Sequence, residues 1–237
     1  MAAEPQSVRR DSGQRLYTIA AIGAIAIVIA GFAKTYFLKS LFGTPVLPSL
    51  VHLHGALMTS WFVLFLIQVR LVAAHRADLH RRLGIFGAVL AASIVIAGVT
   101  TAITGARLGH TPGPPPLVFL AVPLGDMLVF ATLVATALYF RRRRDIHRRL
   151  MLLACVGILT AAIARIPLAF VHSGGILLAF GLMDVGVLSC VIFDSVKNRR
   201  LHPAFGWGAL FVIASWPLRL LLAGTPAWTA FATWLTG

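Results

Sequence analysis

Leu117-Val118-Phe119-Leu120-Ala121-Val122-Pro123-Leu124-Gly125-Asp126-Met127 opens an apolar run, residues 117–140, that carries a single charge and ends on Arg141-Arg142-Arg143-Arg144. As a helix rising 1.5 Å per residue it is about 36 Å long, enough to cross a hydrocarbon core of about 30 Å. Working outward, six further runs have this character, at approximately 16–33, 50–72, 83–103, 150–171, 176–193 and 205–222. Charge or Pro/Gly punctuation bounds each of them. The connector from Gly105 ends Pro112-Gly113-Pro114-Pro115-Pro116, whose prolines lack N–H donors and stop a helix. The fold class is therefore an all-α polytopic membrane protein with seven transmembrane helices. Residues 1–15 form an N-terminal tail, 16–224 the membrane domain and 225–237 a C-terminal tail.

Composition agrees. Of 237 residues, 59% are hydrophobic and 12% charged, with mean hydropathy +0.88. Soluble domains run at roughly 45 to 50% apolar and about 25% charged, so that class is excluded. Lys and Arg total 21 against 7 Asp plus Glu, a net +14. These charges sit in short clusters between apolar runs, which is loop charge on a membrane protein and no nucleic-acid footprint. Cys155 and Cys190 both fall inside apolar runs, leaving neither a disulfide framework nor a CxxC pair.

Basic loops are retained on the cytoplasmic side. Arg9, Arg10 and Arg15, then Arg70, Arg76, Arg81 and Arg82, then Arg141 to Arg144 with Arg148 and Arg149, then Lys197, Arg199 and Arg200 all fall on one side. Only Lys34, Lys39 and Arg107 fall on the other. The N-terminus is expected inside the inner (plasma) membrane and the C-terminus outside, with Trp228 and Trp234 in the interfacial aromatic belt. The first span reads as a retained helix, since its apolar stretch exceeds the 7 to 15 residues or so of a signal sequence.

Asp78-Leu79-His80-Arg81-Arg82-Leu83 recurs as Asp145-Ile146-His147-Arg148-Arg149-Leu150, each before an outward-running span, with a weaker echo in Arg199-Arg200-Leu201-His202. One leading helix plus three hairpins results, the first two hairpins forming a parallel repeat. The hexad has a structural reading, in which Asp N-caps the following helix and the arginine pairs meet anionic lipid at the cytoplasmic face. In its functional reading His80 and His147 face each other and ligate a metal or haem iron, although both precede their spans in the connecting loops.

Charged residues inside spans are costly and mark function by default. Counted from the outer ends, Asp126 lies about 14 Å deep, Asp184 about 12 Å, Arg165 about 9 Å and Arg219 about 5 Å. Pro123, Pro167 and Pro217 lie within three residues of Asp126, Arg165 and Arg219. Kinks of that kind are tolerated beside a polar cavity, which suggests an outward-facing pocket. Arg165, deeper than Arg219, is expected to be the hub that pairs with Asp126 or Asp184. On span two, His54 shares one helical stripe with Met58, Trp61, Phe65 and Gln68. Read on span five, His172 shares a face with Arg165. His54 and His172 could then form a bis-histidine haem site, or His54 with Met58 a copper site. His110 in the outer loop is a weaker third candidate. Phosphate loops, HExxH zinc motifs and nucleophile elbows are absent.

His54-Gly55, Gln68 and Leu79-His80-Arg81-Arg82-Leu83-Gly84 together resemble the signature of an uncharacterised family of bacterial polytopic membrane proteins, over approximately spans two to five. Histidines near both membrane faces of paired hairpins are also loosely similar to the b561-type cytochromes. That likeness implies haem b as a cofactor, ahead of copper, held by His54, His172, His80 and His147. Two function classes stay open. One is a haem- or metal-binding redox protein. The other is a proton-coupled carrier or small-ligand binding protein using Asp126, Arg165, Asp184 and Arg219. An enzyme on a lipid- or isoprenoid-like substrate would use the same pocket.

Overall fold

The structure, a computed structural model, describes residues 6–43, 46–111 and 113–237, with the side chains of residues 6–13 and of His172 outside the description. The side chains of Arg9, Arg10 and His172, and residue Pro112, thus lie outside the description. Every regular element among the described residues is helical. Helix α1 (Gln6–Phe32) runs into a π-helical turn, Ala33–Phe37, and is followed by α2 (Ser49–Ala73) and α3 (Ala77–Arg107). Then come α4 (Pro116–Phe119), α5 (Ala121–Tyr139), α6 (Arg144–Val156) and α7 (Thr160–Ile163). The chain closes with α8 (Ala169–Asn198), α9 (Pro203–Ala223) and α10 (Pro226–Thr236). Seven stretches are long and apolar enough to span a membrane, with α4–α5 making the fourth and α6–α7 the fifth.

The hairpins α2/α3, α5/α6 and α8/α9 each pack internally, and α5 also packs against α3 and α9. Helix α1 lies against α2, α6, α7 and α8. In the fifth span 67% of the apolar window is buried, against 22–44% in the other six, so it is the central stave of the bundle.

Three expectations are corrected by this architecture. Span five was expected over 150–171. Its helix begins at Arg144, gives way to a turn at residues 157–159 and ends at Ile163. Pro167 cannot donate to a helix and biases Ile166 away from helical angles, so the chain cannot run on to His172. Arg165 and His172 therefore sit in different elements and share no helical face. Secondly, the N-cap residues of α3 and α6 are Arg76 and Arg143, without a side-chain cap. Asp78 and Asp145 occupy the first turn instead, where a carboxylate still favours the positive end of the helix dipole. Thirdly, His80 and His147 are not in loops: each is the fourth residue of its helix.

Two further features shape the opposite end. Gly175 (φ 58°, ψ −153°) breaks α8 in a region that only glycine enters cheaply, separating 169–174 from the spanning part. Residues 226–236 of the tail form α10, whose Trp228 Nε1 donates to the Leu117 carbonyl at 2.8 Å. Trp228 is thereby buried and Trp234 alone of the two is exposed.

Candidate functional site

His80 and His147 project from matching positions on α3 and α6, and their rings lie 6.3 Å apart between centroids at 83°. Both are half-buried, while Arg81 and Arg148 beside them are exposed. His147 Nδ1 lies 2.8 Å from the Ala137 carbonyl. A carbonyl only accepts, so Nδ1 carries the proton and Nε2 of the neutral ring keeps its lone pair for another partner. His80 Nδ1 is sealed from solvent and has no partner among the described residues. Gln68 Nε2 donates to the His80 carbonyl at 3.2 Å and ties the end of α2 to the start of α3. The expected juxtaposition of the two repeat histidines is thus present, inside the helices.

The α2 stripe faces inward as its spacing required: Trp61 and Phe65 are buried and Met58 packs on the core. Its polar atoms are left over. His54 Nδ1, Trp61 Nε1 and Gln68 Oε1 are all sealed without a hydrogen-bond partner. Residues 54, 61 and 68 recur every seventh position, so these atoms follow one face of α2 for about 21 Å and end beside His80. A buried polar atom left without a partner costs about 1 to 3 kcal/mol.

The outer-half charges separate into three fates. Arg219 is the hub. Its Nη1 donates to Asp126 Oδ1 at 2.6 Å and to the Val122 carbonyl at 2.9 Å, and its Nη2 to Ser215 Oγ at 2.8 Å. Its guanidinium also lies 5.4 Å from the Phe180 ring centre. Gly125 makes this possible, because a Cβ there would stand 2.7 Å from Arg219 Cδ. Asp184 instead accepts from Trp216 Nε1 at 2.9 Å, and its Oδ1 is left unpartnered. Arg165 donates to the Ala161 carbonyl at 2.8 Å and lies over the Phe32 ring of α1 at 5.1 Å.

The expectation that Arg165 would hold Asp126 or Asp184 is therefore wrong. Depth counting assumed one continuous helix, and the break after Ile163 turns Arg165 toward α1. Nor does a cavity open at Asp126, since the space beside it is too small for a water molecule. Arg219→Ala is expected to lower thermal stability in detergent more than Arg165→Ala, by about 3 to 5 kcal/mol for an abandoned buried partner. Melting curves of the two variants with the Arg219→Ala/Asp126→Asn double variant check this, and equal tolerance would refute it.

A second ion pair went unread in the sequence. Arg149 grips Asp194 of α8 with both arms of its fork, Nε to Oδ2 at 2.9 Å and Nη2 to Oδ1 at 3.1 Å. Its third nitrogen donates to the Asp145 carbonyl at 2.8 Å. The two side chains are only 4% and 6% exposed. Asp194 lies one residue past Phe193, the end of the apolar run, so the run itself carries no sign of it. Alongside, His202 Nδ1 accepts the Ala204 N–H that opens α9, so Nε2 carries the proton it offers to Asp145 Oδ2 at 3.0 Å. The third echo of the hexad thus joins α9 to α6.

His54 and Met58 stay together on α2, His110 is exposed in its loop, and whether His172 approaches His54 lies outside the described residues. Among the described residues no three His, Cys, Asp or Glu side chains cluster as a metal site. No protein-family model, no curated protein and no solved structure matches the chain.

Proposed function

We propose that this is an integral membrane redox protein in which His80 and His147, near the arginine-rich end of the bundle, would hold a haem b iron. The observation that carries the reading is the separation of the two rings. A metal bonded to two opposed imidazoles at about 2.0 to 2.1 Å, with each ring centre about 1.1 Å further out, requires centroids about 6 Å apart; the rings stand at 6.3 Å. The donor set favours haem over a bare ion. Two imidazoles complete an iron that already carries four porphyrin nitrogens, whereas a protein-only copper or zinc centre needs further ligands at the same point.

When bound, the group would supply reversible one-electron chemistry. The chain's own residues do the rest. The Ala137 carbonyl fixes the His147 tautomer and ring direction, as a carbonyl beside a metal-binding histidine does by accepting its other ring N–H. Gln68 holds the helix end from which His80 projects. Trp61 and the apolar core keep water from the α2 face.

The alternative, a proton-coupled carrier, draws on the unpartnered Asp184 Oδ1. The Asp126–Arg219 bond closes the pocket that reading needs, so the redox reading is preferred. A purified sample from haem-replete cells should show a Soret band and about one haem per chain by pyridine haemochrome assay. A colourless protein would overturn the proposal.

We also propose that the arginine-rich end faces the cytoplasm at an inner membrane, against anionic lipid, because basic loops resist translocation. Reporter fusions should place Arg144 inside and the C-terminus outside. A fusion at Arg144 that reports the outer side would invert the scheme.

A further inference from the structure

We infer a second metal centre in the opposite half of the bundle: a copper(I) site formed by His54 and Met58 of α2 with Met127 of α5. The observation is a convergence over Gly98 of α3. A Cβ at Gly98 would overlap Met127 Sδ and stand 3.1 Å from Met127 Cγ and 3.3 Å from His54 Cε1. The thioether and the imidazole edge therefore meet in a space that exists because residue 98 has no side chain. His54 Nδ1 is among the orphaned buried atoms, so a ring nitrogen at this meeting point lacks a partner. Met58 lies one turn along α2 on the same face as His54.

The chemistry of the set selects its ion. Thioethers are soft ligands that prefer copper(I), which is satisfied by two or three of them with an imidazole, while zinc, magnesium and calcium demand harder or more numerous donors. Charge points the same way. The neighbouring carboxylate, Asp126, is engaged by Arg219 at 2.6 Å. The ligands are thus all neutral, and within a membrane a neutral set tolerates a monovalent ion far better than a divalent one. This inference does not rest on haem at His80 and His147.

The test uses the full-length protein in detergent, kept reduced and titrated with copper(I) against bathocuproine disulfonate. One equivalent retained, with sulfur and nitrogen scatterers in the copper absorption-edge spectrum, is the expected result. Met127→Leu and Met58→Leu keep side-chain volume and remove sulfur. Each should weaken retention by more than the roughly 10- to 100-fold that loss of an outer-shell partner costs. Gly98→Ala should do the same by displacing Met127. Met183→Leu, in the core away from the site, should not, and neither should His80→Ala. No retained equivalent, a shell without sulfur, or unchanged retention in Met127→Leu or Met58→Leu would each overturn the site. The sulfur shell is read on the unaltered protein, so the proposal stays testable if a variant fails to fold. A copper equivalent lost in His80→Ala would assign the metal to the histidine pair instead.

Discussion

Purified His147→Ala protein is expected to lose its haem, with the Soret band reduced to background and the bound haem falling from about one per chain to near zero. The size of the effect follows from the donor count. Removing one imidazole leaves iron with a single protein ligand at a site near the membrane surface, where water competes for the open position. Axial ligand identity sets the electronic state of haem iron, so any residual pigment should show a shifted band. The variant should nevertheless fold. His147 loses one hydrogen bond to Ala137, worth about 0.5 to 1.5 kcal/mol. His80→Ala should behave alike. Added imidazole should restore the band in His147→Gly, which a purely structural histidine would not do. Unaltered haem content in both single variants would end the assignment of this pair, and retention specifically lost in His54→Ala would move the iron up the bundle.

The second large effect concerns the Arg149–Asp194 bridge. Arg149→Ala is expected to cost about 3 to 5 kcal/mol, because it abandons a carboxylate that is shielded on all sides. Its counterpart in the other hexad, Arg82, is exposed, and Arg82→Ala should stay within about 0.5 kcal/mol. Thermal melts in detergent compare the two directly. Combining Arg149→Leu with Asp194→Leu should recover much of the loss, because apolar replacement of both members of a buried pair is often neutral or better. Similar melting temperatures for Arg149→Ala and Arg82→Ala would show that the bridge contributes nothing.

The spans were legible because an apolar run of membrane length has few other uses, and the hexad because its six letters recur with one change, Leu79 to Ile146. The facing of His80 and His147 was also within reach of the sequence, since a parallel repeat places equal positions at equal depth. Their burial was not, because the helices begin several residues before the apolar runs do. Pairing of the outer charges failed for a local reason. Nothing in the apolar count reveals that the helix ends at Ile163, and that break turns Arg165 toward Phe32, while Asp126 pairs with Arg219. Met127 beside His54 was equally hidden. Their meeting depends on Gly98, and a glycine in an apolar run does not say which helix it admits.

The two hexads share a spelling and carry different obligations. In the first copy the arginines are exposed, and the side-chain partner of Asp78 is the nearby Arg76 at 3.4 Å, both well exposed. Arg82 is exposed and makes no fork-shaped contact there, so a lysine in its place keeps the charge and drift is cheap. In the second copy Arg149 uses the planar fork that lysine lacks, and Asp145 is claimed by His202, so both letters are fixed by neighbours acquired outside the repeat. Descendants of such a duplication should therefore diverge unevenly, the first copy losing its arginines long before the second. The histidine carries the same obligation in both copies, because each supplies one ring of the contact between α3 and α6 that neither could form alone.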